Sequence, residues 1–343
     1  MRNRSQCCWE RKSKVSDGRE IPILSIQDFI KSLYQSSAGQ RRLYSAMYSS
    51  WLGGIVQDVP LMLVPIDDHL VHRGDGVFEA FRLVEGAFYD LPSHLARLER
   101  SAAAIALDLP NSLSEIAEIC RATARSARLR EGLVRLFVSR GPGGFTTNPY
   151  ESVASQLYIV VTPFVRPDRE KYEKGARARQ SEIAVKEVPF CQIKSCNYLP
   201  NVLMKKEAVD WKVDFTLSVE SGGSLAEGST ENFFIINAQR ELVAPLFNYT
   251  LRGTTLMRCL QLAEKLVVEG ELSGIRQDRV TVEDLLMARE AHLVGTTIEV
   301  MPLVEFNGQP IGGGRPGPMG RRLRDLLVAD MTLNSQLRLE VDS

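Results

Sequence analysis

The sequence predicts a two-domain protein that mixes α/β and α+β organisation. Its 343 residues exceed the usual size of a single domain. Residues 46–163 alternate strand and helix patterns, which indicates an α/β domain. Residues 164–175 are charged and contain proline, as is typical of an interdomain linker. Residues 176–343 are rich in predicted strands with helices outside them, and residues 1–45 precede both domains as an N-terminal extension.

The composition excludes several classes of protein. Lys plus Arg and Asp plus Glu both number 42, so no net charge favours nucleic acid. No apolar run reaches the ~18 residues of a membrane span. The six cysteines form no Cys-x-x-Cys pair, and His69 and His72 lack further ligands at recognisable spacing. We therefore predict a cytoplasmic protein with reduced thiols, no metal, and no nucleic-acid or membrane partner.

In the first 163 residues, alternation and turn signals predict five strands and four helices. Prolines place the first of these strands near an edge, and Glu85-Gly86 marks a hairpin turn. Ser25 is the expected N-cap of the first helix. The predicted strands are 59–66, 77–84, 87–91, 132–140 and 156–163. The predicted helices are a short piece after Ser25, 41–49, 94–107 and 113–129.

In the second domain, the same signals predict a mainly extended chain with four helices. Thr281-Val-Glu-Asp is a capping signature that begins one of them. The predicted strands are 214–220, 232–236, 241–244, 274–280 and 292–294. The predicted helices are 201–211, 256–268, 281–289 and 319–331.

A lysine and a carboxylate in this domain are candidates for one site. Lys194 and Glu227 lie about thirty residues apart, on elements joined by one helix and one hairpin, so both can face one cavity. Such a pair suits pyridoxal phosphate (PLP): the amine forms a Schiff base with the aldehyde, and the carboxylate keeps the pyridine nitrogen protonated. Lys205 and Lys206 compete with Lys194, but their mid-helix positions predict solvated side chains.

Three motifs resemble the class IV aminotransferases of PLP fold type IV. They are Lys194-Ser-x-Asn-Tyr-Leu, Glu227-Gly-Ser-x-x-Asn-Phe-Phe, and Gly74-Asp-Gly-Val-Phe-Glu. The family includes branched-chain aminotransferases, D-amino acid aminotransferases and 4-amino-4-deoxychorismate lyases. The resemblance implies an N-terminal α/β domain, a barrel-like C-terminal domain, PLP between them and a homodimer. It also selects Glu227 over Glu231 for the pyridine nitrogen.

The resemblance further implies a set of cofactor-binding residues. Lys194 is the catalytic residue, Tyr198 bonds the phenolic oxygen, and Arg97 meets the phosphate. Free N–H groups and hydroxyls at a predicted helix start, Gly253, Thr254 and Thr255, can hold an anion or cap the helix. A second phosphate-contacting turn is implied at Thr296 and Thr297, where a β-bulge is the alternative.

Five residues are candidates for the substrate side. Phe78 and Arg82 share one face of a strand by its period of two. Arg73 replaces a residue that is often aromatic or apolar in the family, which indicates an extra carboxylate on the substrate. Arg135 and Arg140 are further candidates, with structural roles as the alternative.

The resemblance implies that an amino group moves between a branched-chain or D-amino acid and a 2-oxo acid. The first alternative is 4-amino-4-deoxychorismate lyase, which eliminates pyruvate with the same cofactor. A remote alternative is a PLP-binding protein without turnover.

Overall fold

The computed structural model describes residues 13–14, 20–36 and 43–342. Within those ranges two large sheets are built from different halves of the chain. Ahead of them come β1 (Ser13–Lys14) and β2 (Glu20–Ile21), which pair with each other, and helix α1 (Ile26–Ser36). The predicted N-cap of α1 is confirmed, because the Ser25 hydroxyl accepts the Asp28 N–H at 3.2 Å.

The first sheet contains seven of the described strands, all antiparallel, in the order β18-β6-β5-β7-β8-β3-β4. Helices α3 and α4 cover one of its faces with a core that includes Phe81, Leu98 and Ile116. The strands are β3 (Ala46–Ser49), β4 (Gly54–Val56), β5 (Gly76–Val84), β6 (Ala87–Tyr89), β7 (Gly132–Ser139), β8 (Gln156–Pro163) and β18 (Arg338–Glu340). The helices of this region are α2 (His69–Arg73), α3 (Leu91–Ala104) and α4 (Leu113–Ala127).

The second sheet curls into a half-barrel and contains nine of the described strands. Its central path is β11-β10-β9-β16-β15-β12-β13-β14, and β17 pairs with β16. The strands are β9 (Ala176–Gln180), β10 (Phe215–Val219), β11 (Leu225–Gly228), β12 (Asn232–Ile236), β13 (Glu241–Pro245), β14 (Gly274–Asp278), β15 (Glu290–Gly295), β16 (Glu299–Phe306) and β17 (Gln309–Pro310). The helices are α5 (Arg169–Lys174), α6 (Leu199–Asp210), α7 (Thr254–Val268), α8 (Val282–Met287) and α9 (Pro318–Leu333).

Both faces of the second sheet are buried, as β12 shows. Phe233 and Ile235 point into one core inside the curl, while Phe234 and Ile236 join a second core with α7 and α9. A strand apolar on both faces is expected where helices cover the outside of a sheet. The mixed α/β fold predicted from the sequence is confirmed by this architecture.

Two local predictions are wrong. Residues 59–66 form no strand: Val59–Leu61 is a single 3-10 turn, because Pro60 and Pro65 supply no ladder N–H. The predicted helix at 41–49 is also not formed in its described part, where Ala46–Ser49 is strand β3. Its pairing with β8, over a hundred residues away, supplies backbone bonds that no local pattern reveals.

The division into domains remains a proposal, with each sheet and its helices as one unit. Two features cross the predicted boundaries. The chain end returns to the first sheet, where β18 pairs with β6, and the predicted linker contains helix α5. In the described ranges, no helix combines the length and apolarity needed to cross a bilayer.

Candidate active site

A polar cavity of about 60 Å³ lies where the two sheets meet. Its walls come from α3, the segment before α6, the β11–β12 turn, the start of α7 and the end of β15. They include every predicted cofactor residue except Thr297: Arg97, Lys194, Tyr198, Glu227, Gly253, Thr254, Thr255 and Thr296.

Lys194 is held by its backbone against the first sheet. The Lys194 N–H donates to Ser101 Oγ at 3.2 Å, and its carbonyl accepts the Phe78 N–H at 3.0 Å. Within the described chain the amine has no ion-pair partner. Burial, with Arg97 as the next cause, lowers the pKa of Lys194 to about 8. An amine with a lowered pKa is neutral for more of the time near neutral pH and can act as a nucleophile.

Glu227 provides a half-buried carboxylate to the same cavity, near the end of β11. Its Oε2 accepts the Leu251 N–H at 3.0 Å and the Asn232 amide at 3.4 Å. Burial raises the pKa of Glu227 to about 7, although the Leu251 N–H opposes the shift. Such a carboxylate is stabilised as an anion when a cationic N–H lies against it. Glu231 also lines the cavity, but it bonds within its own turn, to Ser229 and Thr230.

Aromatic rings enclose the lysine from the first-sheet side. The Phe78 ring centroid lies 4.5 Å from Lys194 Nζ and 5.1 Å from the Tyr198 ring, in an edge-to-face arrangement. Phe137 stacks behind Phe78 at 5.9 Å. Burial raises the pKa of Tyr198, so its hydroxyl keeps its proton and can donate a hydrogen bond to an acceptor in the cavity.

The far end of the cavity is suited to an anion. Helix α7 begins there, and its N-cap, Gly253, provides no side-chain cap, so its first N–H groups face the cavity with the Thr254 and Thr255 hydroxyls. Gly253 is required by close approach, since a Cβ would lie 1.9 Å from Asn232 Oδ1. Arg97 adds a positive charge, and Thr296 lies on the facing turn.

Arg97 contacts Glu79, which the sequence placed in a motif but did not predict as a site residue. Glu79, fully buried on β5, accepts Arg97 Nε at 2.7 Å and Nη2 at 2.8 Å, and it contacts His94 Nδ1 at 2.7 Å. One signal could have revealed Glu79. In the alternation of β5 it shares the helix-covered face with Val77 and Phe81, and a charge on such a face requires a partner.

Two of the candidate substrate arginines are bound elsewhere. The Arg73 side chain is exposed and donates to the carbonyls of His72 and Phe145 at 2.9 and 2.7 Å. Arg140 forms a two-pronged contact with Asp75, at 2.9 and 3.0 Å, and also donates to the carbonyls of Ile105 and Ala106. Like the other three substrate candidates, Phe78, Arg82 and Arg135, neither of them lines the cavity.

The other two arginines differ in their surroundings. Arg82 is buried, lies 3.3 and 3.7 Å from Glu131 and Glu299, and stacks 3.5 Å from the Phe164 ring centroid. Arg135, half-buried on β7, donates to Thr162 Oγ1 at 3.3 Å. Within the described residues Arg135 has no acidic partner, and it lies on the same sheet face as Phe137.

The residues of the cavity fit PLP. A half-buried amine and a half-buried carboxylate line it, together with threonine hydroxyls and a helix N-terminus. Asn201 Oδ1, buried on the same wall, has no protein partner in the described chain and remains available to a ligand. The described ranges contain no group of three or more His, Cys, Asp or Glu that could hold a metal ion.

Comparison with known proteins agrees with this geometry. The family profile of amino-transferase class IV matches residues 76–306. The chain is 37% identical over 317 residues to the chloroplastic D-amino-acid transaminase of Arabidopsis thaliana, covering 92% of this chain and 84% of that protein. It is 30% identical over 268 residues to the D-alanine aminotransferase of Bacillus licheniformis, covering 77% and 90%.

Solved structures show the same fold. A T.th. branched-chain amino acid aminotransferase with pyridoxamine 5′-phosphate matches with a TM-score of 0.81 and 25% identity, over 87% of this chain and 99% of that one. The Escherichia coli branched-chain amino acid aminotransferase matches with a TM-score of 0.78 at 23% identity, over 88% and 100%. The protein belongs to the class IV aminotransferases, the PLP-dependent enzymes of fold type IV that move an amino group between an amino acid and a 2-oxo acid.

Proposed function

We propose that Lys194 and Glu227 are the two groups that perform this transfer. The observation that carries the proposal is that Lys194 and Glu227, both half-buried, line one cavity with Arg97 and the N-terminus of α7. When bound, PLP supplies an aldehyde and an electron-accepting ring. Lys194 Nζ would hold the cofactor through its aldehyde carbon, with loss of water, and the same amine, when free, would take a proton from the substrate Cα.

The remaining cavity residues hold and orient the cofactor in this proposal. Glu227 keeps a proton on the ring nitrogen, and Tyr198 donates to the phenolic oxygen. The N–H groups at Gly253, Thr254 and Thr255, the Thr296 hydroxyl and the Arg97 guanidinium hold the phosphate. Thr297, in the same turn as Thr296, supports that turn from outside the cavity wall.

A direct test is chemical attachment. Borohydride reduction of the holoenzyme is expected to fix the cofactor to Lys194, as located by peptide mass spectrometry, and Lys194→Ala is expected to remain unlabelled. A label on Lys186, Lys205 or Lys206 instead would overturn the assignment.

We propose that the substrates are D-amino acids and that Arg135 binds a substrate carboxylate. Two relatives at 30% identity or more carry D-amino acid names, which supports the first part. The second rests on Arg135 having no acidic partner in the described chain, whereas Arg82 and Arg140 are paired with carboxylates and Arg73 donates to backbone carbonyls. Phe78 forms the apolar wall beside the lysine.

The substrate test uses matched enantiomers. The absorbance of the bound cofactor is followed while D-alanine, L-alanine, D-leucine or L-leucine is added singly. Conversion by the D-forms is expected, and conversion by L-leucine without the D-forms would assign the branched-chain class. Arg135→Gln is expected to raise KM about tenfold or more, as for a lost charged hydrogen bond, with a smaller change in kcat.

We also propose a homodimer and a cytoplasmic location. Exposed apolar side chains gather near the β3–β4 edge of the first sheet, among them Trp51, Leu52 and Leu61, and a subunit interface would cover them. Light scattering on the purified protein tests the dimer. The location follows from the scattered thiols, and a reporter fused to residues 1–45 tests it against the chloroplast, where the Arabidopsis relative is named.

A further inference from the structure

Glu79 lies directly behind the arginine at the anion end of the cavity. Its two oxygens accept Arg97 Nε and Nη2 at 2.7 and 2.8 Å, which fixes the plane of the guanidinium. Arg97 Nη1 donates to the Arg252 carbonyl at 3.1 Å. A guanidinium has five N–H groups. These contacts in the described chain use three of them, so two remain for a ligand in the cavity.

The same carboxylate fixes a proton on His94. Glu79 Oε2 lies 2.7 Å from His94 Nδ1. Burial opposes ionisation of Glu79, but the Arg97 charge and the Arg97 and His94 hydrogen bonds together lower its pKa to about 2. An ionised carboxylate only accepts hydrogen bonds. Nδ1 of His94 therefore carries a proton at neutral pH.

The opposite nitrogen of His94 reaches the cavity wall. Nε2 lies 3.3 Å from Thr254 Oγ1. If Nε2 is unprotonated, the Thr254 hydroxyl donates its single proton to the ring and shows only lone pairs to the cavity. If Nε2 is protonated, it donates to Thr254, and the hydroxyl proton can turn to an anion. Protonation of His94 and anion binding therefore favour each other.

The imidazole faces charged and titratable groups from several elements. Besides Glu79 and Arg97, they are Arg82 on β5, Tyr89 and Asp90 before α3, and Arg258 on α7. Arg258 is bound in a two-pronged contact to Asp330, and Arg82 lies near Glu131 and Glu299. Among the described residues, Glu79 provides the carboxylate in direct contact with the ring.

We propose that Glu79 is a positioning residue of the phosphate site, which aims Arg97 and lets His94 take up a proton from solvent when a phosphate dianion binds. The proton on Nε2 of His94 then turns the Thr254 hydroxyl into a donor to the phosphate. The proposal rests on the proposed function, because it takes the Arg97 end of the cavity as the phosphate end.

The first test compares two ligands that differ only in the phosphate. Dissociation constants of PLP and pyridoxal are measured with the cofactor-stripped, full-length protein. Glu79→Gln is expected to weaken PLP about 10- to 100-fold, the range of a lost charged hydrogen bond, and pyridoxal by less than about threefold. Glu290→Gln is the matched control, because it removes a buried carboxylate from another histidine pair outside the cavity.

The second test counts protons and needs no carboxylate variant. Calorimetric titrations with PLP and pyridoxal are run at pH 8, where the phosphate ester is a dianion because its second pKa is about 6. Two buffers with different ionisation enthalpies give the proton uptake. Wild-type protein is expected to take up more protons with PLP than with pyridoxal, by up to about one. Thr254→Val is expected to remove the excess.

The outcomes are separable. An unchanged ratio of the PLP and pyridoxal constants in Glu79→Gln would overturn the positioning role. Equal proton uptake for the two ligands in the wild type, or an excess that persists in Thr254→Val, would overturn the His94 role. Failure of the proposed function has a different signature, since borohydride would then label a residue other than Lys194.

Discussion

In the described part of the chain, two buried glutamates each contact a histidine, and the two pairs differ in their surroundings. Glu79 contacts His94 at 2.7 Å beside the cavity, and Glu290 contacts His292 at 2.9 Å beneath helix α9. The other bonds of Glu290 come from the N–H groups of Met319 and Gly320, both at 3.0 Å. Glu290 thus caps a helix whose own N-cap, Gly317, has no capping side chain.

The difference between the pairs lies in where their contacts lead. Glu79 holds an arginine that keeps free N–H groups facing a cavity, and His94 extends to a hydroxyl on the cavity wall. Glu290 directs its other bonds to backbone, and His292 is tightly enclosed, with a Cβ at Gly320 expected only 1.9 Å from its Cε1. The same two side-chain types therefore border the proposed ligand site in one place and a helix N-terminus in the other.

The largest expected effect is on kcat and comes from removing the lysine that lines the cavity. Lys194→Ala should lower kcat by about 10⁴-fold or more, because proton transfer alone contributes ~10²–10⁴ and the covalent attachment is lost as well. Lys206→Ala, an exposed lysine paired with Asp210, is the control and should match the wild type. Steady-state kinetics at saturating cofactor measure both. Turnover within tenfold of wild type in Lys194→Ala would refute the lysine's role.

The second prediction compares the two carboxylates that line the cavity, those of Glu227 and Glu231. Glu227→Gln should lower kcat about 10²- to 10³-fold, the usual loss when one preorganised electrostatic partner is removed. Glu231→Gln removes a carboxylate that bonds only within its own turn in the described chain, and should cost less than tenfold. Single-turnover kinetics with PLP bound compare the two, and a reversed order would assign the ring nitrogen to Glu231.

The third prediction concerns the stability lost when Glu290 of the Glu290–His292 pair is replaced. Glu290→Gln should lower the free energy of unfolding by about 2–4 kcal/mol, because the buried His292 contact and two helix N–H groups lose their anionic acceptor. Its kcat per folded molecule should stay unchanged. Urea unfolding followed by fluorescence measures the stability, with exposed Glu283→Gln as the control. Equal stability of Glu290→Gln and wild type would show that the cap contributes nothing.

The smallest expected effect is the pH dependence of the stability that the Glu290–His292 pair contributes. Burial alone would raise the pKa of Glu290, but the His292 and backbone N–H bonds leave it below the ordinary value of 4.5. As pH falls below about 4.5, the unfolded chain gains the proton first, so this stabilisation declines progressively and is gone once the pH lies below the lower native pKa. The stability advantage of wild type over Glu290→Gln should therefore be constant above pH 5 and shrink below it in urea unfolding. An advantage that grows on acidification would reverse the sign of the shift.

The sequence predicted much of the fold because long, periodic segments determine their own state. Helices at 113–129 and 319–331 and the strands at 77–84, 132–140 and 156–163 lie within a few residues of their observed bounds. The failures were local. Residues 46–49 became a strand through pairing with a distant partner, and residues 59–66 stayed irregular because of their prolines.

The cofactor class could be predicted from the order of amino acids alone, because the residues around Lys194 and Glu227 form motifs that resemble those of one family. The assignment of Lys194 and Glu227 as the reactive groups is a proposal. Folding in three dimensions determined which arginines remain free of carboxylates, and that Glu79 and His94 stand behind Arg97. Those facts depend on contacts between strands, helices and turns that are far apart in the chain. The residues next to a side chain in sequence do not identify the residue that it contacts in the folded structure.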